Sequence, residues 1–437
     1  MPKETKPNQG KRVLIITYYW PPSGGAGVHR WLKMSKYLAV NHTCFVYTPA
    51  NPDFALKDDS LVQKIDPSIQ VLKRKIMEPY FLYRAFVKKS DKAHVNQPSS
   101  VAEGGGFIKK LGKWGRGNLF IPDPRVFWVK PSYRYLKKVI QHEKIDVVIT
   151  TGPPHSMHLI GLKLKSFFGV NLKWIADFRD PWTNIDFYDK LNIGNRADQK
   201  HRRLEKEVVS TADTVVTVSE NWGKDFKALG AQKVAVITNG FDQEDYRVQP
   251  IEQQGMFKLT HLGSINADRN PIALWKAMAM LKEQNKAFSD LLLVRLIGNV
   301  HANIVASIAE YGLQDQVKLI ANLPHKKALD ELYDSAISLL LLNDTKNIDG
   351  IIPGKLFEYI GAGRPIFAIG KTTGDTGKII TENNLGAITP FKDEDAAKNV
   401  LLSFFTSFQR GELKAFSTDE LNKFSIHALS EKFEALF

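Results

Sequence analysis

Short apolar segments alternate with segments of helical periodicity along most of this 437-residue chain. The alternation comes in two series of similar size, over residues 13–237 and 257–369, and a polar stretch over 239–254 separates them. Because a helical segment follows each apolar strand, each series predicts a mostly parallel sheet with helices on both faces. The predicted fold class is therefore α/β, with two Rossmann-like domains facing a cleft. One large sheet is the alternative, and the polar break makes it less favoured.

The positive charge of the chain is concentrated in one region. The formal net charge is +14, and residues 73–138 hold 16 Lys or Arg against 4 Asp or Glu, a surplus of 12. Cations interleaved with aromatic side chains suit an anionic membrane surface, where each nearby cation contributes about 1 kcal/mol. A solvated insertion is the alternative. No RNA- or DNA-binding motif accompanies the charge, so nucleic acid is not an expected partner. The interleaved aromatic residues are Tyr80, Phe81, Tyr83, Phe86, Phe107, Trp114, Phe120, Phe127 and Trp128.

Other bulk features point to the cytoplasm. No apolar run is long enough to span a bilayer, and the charged first residues lead directly into a strand rather than into an export signal. Cys44 is the single cysteine, which excludes an intrachain disulfide and a cysteine-based metal cluster. We expect a cytoplasmic protein, either free or peripheral at the inner face of the membrane.

The segment IIPGKLFEYIGAGRPI, residues 351–366, carries the strongest functional signal. Pro353 and Gly354 form a loop after an apolar strand, and a short helix then holds Lys355 and Glu358. These two side chains are three positions apart and share one helix face. Free backbone N–H groups and the helix dipole favour a phosphate at such a junction, which suits a nucleotide that carries a sugar. An ordinary surface ion pair between Lys355 and Glu358 is the alternative.

This segment resembles the donor-binding motif of the family 4 glycosyltransferases, which have two Rossmann-like domains in the GT-B fold. The resemblance implies that Glu358 holds the ribose hydroxyls of a nucleotide diphosphate sugar and that Lys355 faces the phosphates. The family motif has an earlier glutamate, but Gly350 stands at that position and Asp349 is the nearest acid. The resemblance also implies retention of the anomeric configuration, no metal ion, and no cofactor besides the donor substrate.

The same resemblance gives the expected domain limits. Asn239-Gly-Phe-Asp242 is similar to a segment that precedes the domain boundary in family 4 enzymes. We expect an acceptor domain over residues 1–240, with a basic insertion near 52–131, and a donor domain over 255–417. Residues 418–437 are expected to be helical, and in GT-B proteins the final helix often crosses back to the first domain.

Three segments of the first series follow a strand, where ligands bind open α/β sheets. Gly24 and Gly25 belong to a glycine-rich turn that lets the backbone approach a ligand. The family resemblance places this turn near the donor phosphate and the acceptor, and a plain tight turn is the alternative. His155 lies between the end of a later strand and the start of the helix that follows it. The resemblance places it near the reactive end of the sugar. His158 is the second candidate for this role. The alternative for either histidine is packing in the core.

The third segment, DFRDPW over residues 177–182, is similar to one in a bacterial subgroup of these transferases. Asp180 or Asp177 is expected to accept a hydrogen bond from an acceptor hydroxyl, or to position Arg179. A buried Arg–Asp brace that shapes the loop is the alternative. The spacing of the acids differs from the D-x-D of metal-dependent transferases, and no metal site is predicted.

The second series begins with a matching loop, HLGSINADR over residues 261–269. Gly263 in this loop and Gly298 after the next strand are expected to border the donor. Family 4 enzymes place an Arg and a Lys near this loop to neutralise the leaving diphosphate. Arg269 fits the Arg, whereas Asn270 stands where the Lys is expected, so Lys355 is predicted to supply the second charge. A solvent-facing arginine is the alternative.

These observations predict a glycosyltransferase that moves a sugar from a nucleotide diphosphate sugar to an acceptor hydroxyl in polysaccharide or glycolipid synthesis. Expected partners are the nucleotide sugar, a lipid-linked or saccharide acceptor, and an anionic membrane surface. The alternatives are a nucleotide-sugar epimerase of the same fold and a non-catalytic, membrane-associated sugar-binding subunit. The predicted catalytic residues are His155, Arg269, Lys355 and Asp180, and the predicted donor-binding residues are Gly24, Gly25, Gly263, Gly298, Gly354 and Glu358.

Overall fold

A computed structural model describes residues 10–78 and 115–437, apart from 55, 116, 186, 187, 189, 190, 248 and 418–420. The chain divides into two compact units. The first unit consists of Met1–Thr238 together with Ile426–Phe437, and the second consists of Asn239–Ser425. The last segment of the chain therefore belongs to the first unit, although it follows the second in sequence.

The first unit is built on a parallel sheet. Among the residues described in this unit, seven strands pair in the order β3-β2-β1-β4-β5-β6-β7. The central strands β1 and β4 are buried almost throughout, because helices cover both faces of the sheet. The strands are β1 Arg12–Ile16, β2 Thr43–Pro49, β3 Gln70–Arg74, β4 Val147–Gly152, β5 Lys173–Phe178, β6 Thr214–Thr217 and β7 Val234–Val236.

Helices follow most strands of this sheet. The last helix of the chain packs against the first one, where the rings of Trp31 and Phe433 meet at 5.0 Å. This contact places the end of the chain in the core of the first unit. The helices are α1 Ala26–Asn41, α2 Val126–His142, α3 Ser156–Phe168, α4 Asn195–Thr211, α5 Glu220–Ala228 and the last helix, α13, Ile426–Glu434.

The second unit repeats the architecture. Within its described part, six parallel strands pair in the order β10-β9-β8-β11-β12-β13. They are β8 Phe257–Leu262, β9 Leu292–Ile297, β10 Val317–Ile320, β11 Ile337–Leu341, β12 Ile366–Ile369 and β13 Gly386–Thr389. The helices are α6 Ile272–Gln284, α7 Lys286–Leu291, α8 Ala302–Glu310, α9 His325–Tyr333, α10 Gly354–Gly361, α11 Asp375–Glu382 and α12 Glu394–Gln409.

Each sheet contains a point where the strand order reverses. In the first unit the reversal lies between β1 and β4, and in the second it lies between β8 and β11. The chain leaves the two strands of such a pair toward opposite sides, so a crevice opens beyond their carboxyl ends. A ligand-binding site is therefore expected in the loops that follow these four strands.

The two parallel sheets confirm the predicted α/β class with two Rossmann-like units. The predicted second series over residues 257–369 has the observed limits, from the start of β8 to the end of β12, and the predicted short helix with Lys355 and Glu358 is α10. Sequence analysis missed β3 and α2 in the first unit, and α11, β13 and α12 in the second. Helix α2 contains Pro131, a residue that disfavours helix interiors and so hides the periodicity.

Two predictions fall partly outside the described residues. Most of the basic region with its interleaved aromatics lies over residues 79–114, which are not described. Of the segment predicted to be helical over 418–437, residues 418–420 are likewise not described, and the helix itself covers Ile426–Glu434.

Candidate functional site

The crevice of the second unit opens because β8 and β11 pair at only two positions. Beyond these two positions, hydrogen bonds to side chains take the place of backbone hydrogen bonds between the two strands. The Tyr359 hydroxyl accepts a hydrogen bond from the backbone N–H of Leu262 at 3.0 Å and donates to the carbonyl of Leu339 at 3.3 Å. Nδ1 of His261 donates to the same carbonyl at 2.9 Å. The strands thus separate toward their carboxyl ends without leaving these backbone groups unsatisfied.

Lys355 lies against Gly263 at the mouth of this crevice. Gly263 has a φ of +100°, and a methyl group there would overlap Cε and Nζ of Lys355. Gly298, after β9, has a φ of +134°, and a methyl group there would lie 2.7 Å from the carbonyl carbon of Gly263. The positive φ favours glycine at both positions, and at Gly298 the close approach to backbone atoms requires it as well.

A second cation lies in the same loop cluster. Arg269 donates from Nε to Oδ1 of Asn343, after β11, at 2.8 Å, and from Nη1 to the carbonyl of Ser264 at 3.3 Å. Burial is the main cause that lowers the pKa of Lys355 to about 8. Arg269 acts in the same direction, and Glu358 opposes it. Two cations that repel each other in a partly buried place favour an anion as their common partner.

His261, beneath this cluster, adds no positive charge. Burial, followed by the charge of Lys355, holds the pKa of His261 well below its ordinary value. The ring is therefore neutral at pH 7, and its Nδ1 carries the proton that the Leu339 carbonyl accepts.

Helix α10 begins at the predicted phosphate-binding junction. A methyl group placed on Gly354 would meet no atom within 4 Å, so the start of the helix is open. Among the residues that the structure describes, Lys355 forms no ion pair, so its geometry does not match an ordinary surface pair with Glu358. Glu358 is half-buried, and its charge contributes to raising the pKa of Tyr246, for which burial is the main cause.

Two departures from the family motif have structural partners. Asn270 donates from Nδ2 to Ser307 Oγ at 2.9 Å and accepts from the Trp275 indole at 3.0 Å. Both ends of its amide thus hold the loop to α8 and α6. Asp349 pairs with Lys371 at 2.7 Å, on the side of the motif where the earlier glutamate is expected.

In the first unit, the glycine-rich turn after β1 is tied to the segment after β2. The N–H of Gly24 donates to the carbonyl of Leu56 at 2.9 Å, and the N–H of Asp58 donates to the carbonyl of Pro22 at 2.9 Å. Gly25 is exposed, has a φ of +85° and caps α1 without a side-chain hydrogen bond. Gly24 is therefore packed into the turn, whereas Gly25 leaves the start of α1 open.

Asp177 is a buried brace. Its carboxylate pairs with Arg30 at 3.1 Å and accepts hydrogen bonds from the Trp31 indole at 2.7 Å and the Thr151 hydroxyl at 2.9 Å. The side chain is completely buried, so it is not placed to meet an acceptor. The brace alternative thus holds for Asp177, with Arg30 rather than Arg179 as its partner.

Arg179 and Asp180 lie just beyond this brace. Arg179 donates from Nη1 to the carbonyl of Gly27 at 2.7 Å and from Nη2 to the carbonyl of Pro153. It thereby joins the start of α1 to the loops that follow β4 and β5. Asp180 is half-buried, which leaves it as the acid of this segment that a substrate can reach.

His155 and His158 belong to an aromatic cluster. The ring of His155 stacks on Trp182 at 5.2 Å with an interplanar angle of 2°, and that of His158 stacks on Phe178 at 4.1 Å. Burial lowers the pKa of His158 to about 3 and holds the pKa of His155 well below its ordinary value. Both rings are therefore neutral at pH 7. His158 is fully buried, and His155 retains an exposed fraction of 8%.

Sequence reasoning missed several residues that shape these loops. Tyr359 has no distinguishing signal, since an aromatic residue on an amphipathic helix ordinarily packs in a core. Glu205 and His201 on α4 hold the loop after β5: Glu205 accepts from the backbone N–H of Trp182 at 3.1 Å, and His201 from its indole at 2.9 Å. Their spacing of four on one helix is a weak signal.

Within the described part of the chain, no three His, Cys, Asp or Glu side chains come together as a metal site would require. No helix there has the length and the apolar character needed to cross a bilayer.

Family comparisons match most of the chain. A model of Glycosyltransferase Family 4 matches residues 101–245, and a model of Glycosyl transferases group 1 matches residues 242–410. A curated protein, the DNA-binding protein MutS2 of Pyrococcus furiosus, is 39% identical over 102 residues. That match covers 23% of this chain and 16% of the MutS2 protein.

Solved structures share the fold over nearly the whole chain. A glycosyltransferase from Rickettsia africae has a TM-score of 0.59 and 15% identity, with 98% of each chain covered. An Escherichia coli structure described as trehalose-6-phosphate bound with UDP-2-fluoro glucose has a TM-score of 0.57 and 11% identity, with 97% of this chain and 98% of that chain covered. At this level of identity the likeness concerns the fold alone.

Proposed function

We propose that the chain transfers a sugar from a nucleotide diphosphate sugar to an acceptor hydroxyl. It belongs to glycosyltransferase family 4 and has the two Rossmann-like units of the GT-B fold, which support this proposal. The observation that carries the proposal is the packing of Lys355 on Gly263 beside Arg269. This arrangement holds two positive charges at the crevice where open α/β sheets bind ligands. A diphosphate is an anion of suitable charge for both.

The barrier to sugar transfer is dominated by negative charge that develops on the leaving diphosphate. Fixed donors aimed at that charge stabilise the transition state most strongly. We assign this role to Arg269, Lys355 and the start of α10 at Gly354. Glu358 is proposed to hold the ribose hydroxyls, and Gly263 and Gly298 to let the donor approach the backbone. The reaction is proposed to retain the anomeric configuration and to need no metal ion.

Residues of the first unit are proposed to serve the acceptor side. Asp180 would accept a hydrogen bond from the acceptor hydroxyl, and neutral His155 would contact the sugar or the acceptor rather than act as a nucleophile. Gly24 and Gly25 would bring the start of α1 near the substrates, Gly24 by shaping the turn and Gly25 by leaving the helix end open. The acceptor class is a lipid-linked or free saccharide.

An anionic membrane surface is a further proposed partner of the first unit. On α2, Lys130, Arg134 and Lys138 are exposed. On the adjoining end of α3, Phe167 is 50% exposed and Val170, just after it, is 95% exposed. The Nζ of Lys137 lies 4.5 Å from the centre of the Phe167 ring. Cations beside exposed apolar side chains suit the headgroup region of an anionic bilayer.

A thermal-shift screen against nucleotide diphosphate sugars tests the donor proposal. A ligand at 100 times its dissociation constant stabilises the folded chain by about 2.7 kcal/mol. The donor identified in this way is then incubated with candidate acceptors, and the anomeric configuration of the product is read by NMR. Stabilisation by no nucleotide sugar in the screen would contradict the proposal.

The same incubation separates the alternatives. With the donor alone, an epimerase forms a new nucleotide sugar, whereas a transferase forms none. A sugar-binding subunit binds the donor but yields no product with any acceptor. Chelation of metal ions by EDTA during the assay tests metal independence, since the proposed rate does not change on chelation.

A further inference from the structure

A pocket in the first unit is lined by two lysines. Its cavity volume is about 180 Å³, and it lies beyond the carboxyl ends of β1 and β2. Apolar walls come from Trp20, Phe54 and several prolines, and Thr48 and Asn51 add polar groups. The cations are Lys57 and Lys73.

The fold holds both lysines in place by their backbones. Lys57 forms an isolated antiparallel bridge with Ser23 of the turn after β1. Lys73 lies on β3, where it is in register with Thr48 of β2. The two cations thus come from separate segments, and the strand pairing of the first unit brings them to one pocket.

Both lysines are exposed. Within the part of the chain that the structure describes, neither ammonium group has an ion-pair or hydrogen-bond partner. Most other polar side chains around the pocket are already bonded: Asn51, for example, exchanges two hydrogen bonds with the backbone of Ile76, at 2.8 and 3.1 Å. The lysines are the cationic groups of this pocket that are available for a ligand.

The size and chemistry of the pocket select the ligand. It is smaller than the roughly 300–1,000 Å³ of clefts for drug-sized molecules, so it suits one sugar ring or one phosphate group. Two ammonium groups act as point charges and bind a phosphate without the bidentate geometry that arginine requires.

We propose that Lys57 and Lys73 bind a phosphate group of the acceptor, so that the acceptor is a phosphorylated saccharide or a phospholipid-linked one. This inference rests on the proposed transferase function, because it assumes that the first unit binds the acceptor. The pocket belongs to the first unit, whereas the residues proposed to hold the diphosphate and the ribose of the donor belong to the second unit, so the two proposals can fail independently.

The test uses the full chain and three soluble probes: glucose 6-phosphate, glucose, and dihexanoyl phosphatidic acid below its micelle concentration. Binding is measured by NMR titration. The wild type is expected to bind glucose 6-phosphate, phosphatidic acid, or both, and at least about tenfold more tightly than glucose, since hydrogen bonds to charged groups are the stronger ones. The tighter phosphate probe identifies a saccharide or a lipid source.

The Lys57→Gln/Lys73→Gln variant is expected to bind the phosphate probe at least about tenfold more weakly. Lys75→Gln removes the same charge from an exposed position outside the pocket and is expected to bind within twofold of the wild type, as a matched control. Unchanged unfolding midpoints establish that the variants are folded. Equal binding by the double variant, or no preference of the wild type for phosphate over glucose, would overturn the inference. Donor binding, measured separately, reports on the proposed transferase function alone.

Discussion

The ammonium group of Lys355 packs on Gly263. A Cβ atom on residue 263 would overlap this ammonium group. The two residues are far apart in sequence and follow different strands of one sheet. Their contact brings the start of α10 and the loop after β8 together at the reversal between β8 and β11.

Gly263→Ala is expected to displace Lys355 and to weaken donor binding at least about tenfold, the effect of losing a charged contact. The positive φ adds about 1–2 kcal/mol of backbone strain. Gly255→Ala is the matched control, because Gly255 has a φ of +83° but no atom within 4 Å of the added methyl. Calorimetric titration with the donor compares them. Equal donor affinity in the two variants would show that the Lys355 contact is irrelevant to binding.

Donor affinity is expected to fall as the pH rises through about 8. The pKa of Lys355 in the free protein is about 8, and the diphosphate binds the protonated ammonium. Below that pH the ammonium is present; above it, binding must be accompanied by proton uptake, so affinity declines by at most about tenfold per pH unit. Titrations between pH 6.5 and 9 measure the slope. Lys355→Met should abolish it, and Lys392→Met, at an exposed position, should retain it.

Arg269→Ala and Glu358→Ala are each expected to lower the transfer rate by at least ~10-fold, as loss of a charge-stabilising or donor-holding contact does. Arg269 should affect the turnover number, because its charge acts on the leaving diphosphate. Glu358 should act mainly through the Michaelis constant of the donor, because ribose contacts are alike in ground and transition states. Near-normal turnover of the purified double variant would reject both assignments. Arg410→Ala, at an exposed position of the same unit, is the control.

Asp177 and Asp180 are expected to respond oppositely to amide substitution. Asp177→Asn breaks a buried pair with Arg30 and should destabilise the first unit by about 3–5 kcal/mol. Asp180→Asn should change stability by less than about 1 kcal/mol but reduce transfer. Denaturant unfolding and steady-state kinetics measure the two effects. A stable Asp177→Asn variant with reduced transfer would reverse the assignments.

Val170→Ser is expected to reduce co-sedimentation with anionic vesicles at least about threefold at low salt, because the exposed apolar side chain would otherwise be buried in the bilayer interface. High salt should release the wild type, since the lysines and arginine act through screened charge. Val305→Ser, which changes a valine with 40% exposure in the second unit, should sediment like the wild type. Equal pelleting with neutral vesicles would contradict the proposed surface.

Sequence patterning predicted much of the fold. The alternation of apolar runs with helical segments identified two parallel sheets, because a strand buried on both faces must be apolar throughout and its helix must return the chain. Local sequence also predicted α10, because Pro353 and Gly354 mark its start and the spacing of Lys355 and Glu358 places both on one helix face. Helix α2 escaped detection because Pro131 is locally unfavourable and tertiary packing overrides it.

The chemistry of the site depended on contacts that no local pattern encodes. Sequence alone determined which loops follow a strand and which charged residues they carry, since these are properties of adjacent residues. Only the tertiary structure decided that Lys355 packs on Gly263, that Asp177 is a buried brace for Arg30, and that Lys57 and Lys73 line one pocket. Each of these pairs is brought together by strand order, and burial then sets its charge and its partners. Such relations arise from the packing of distant segments, so they are absent from sequence spacing.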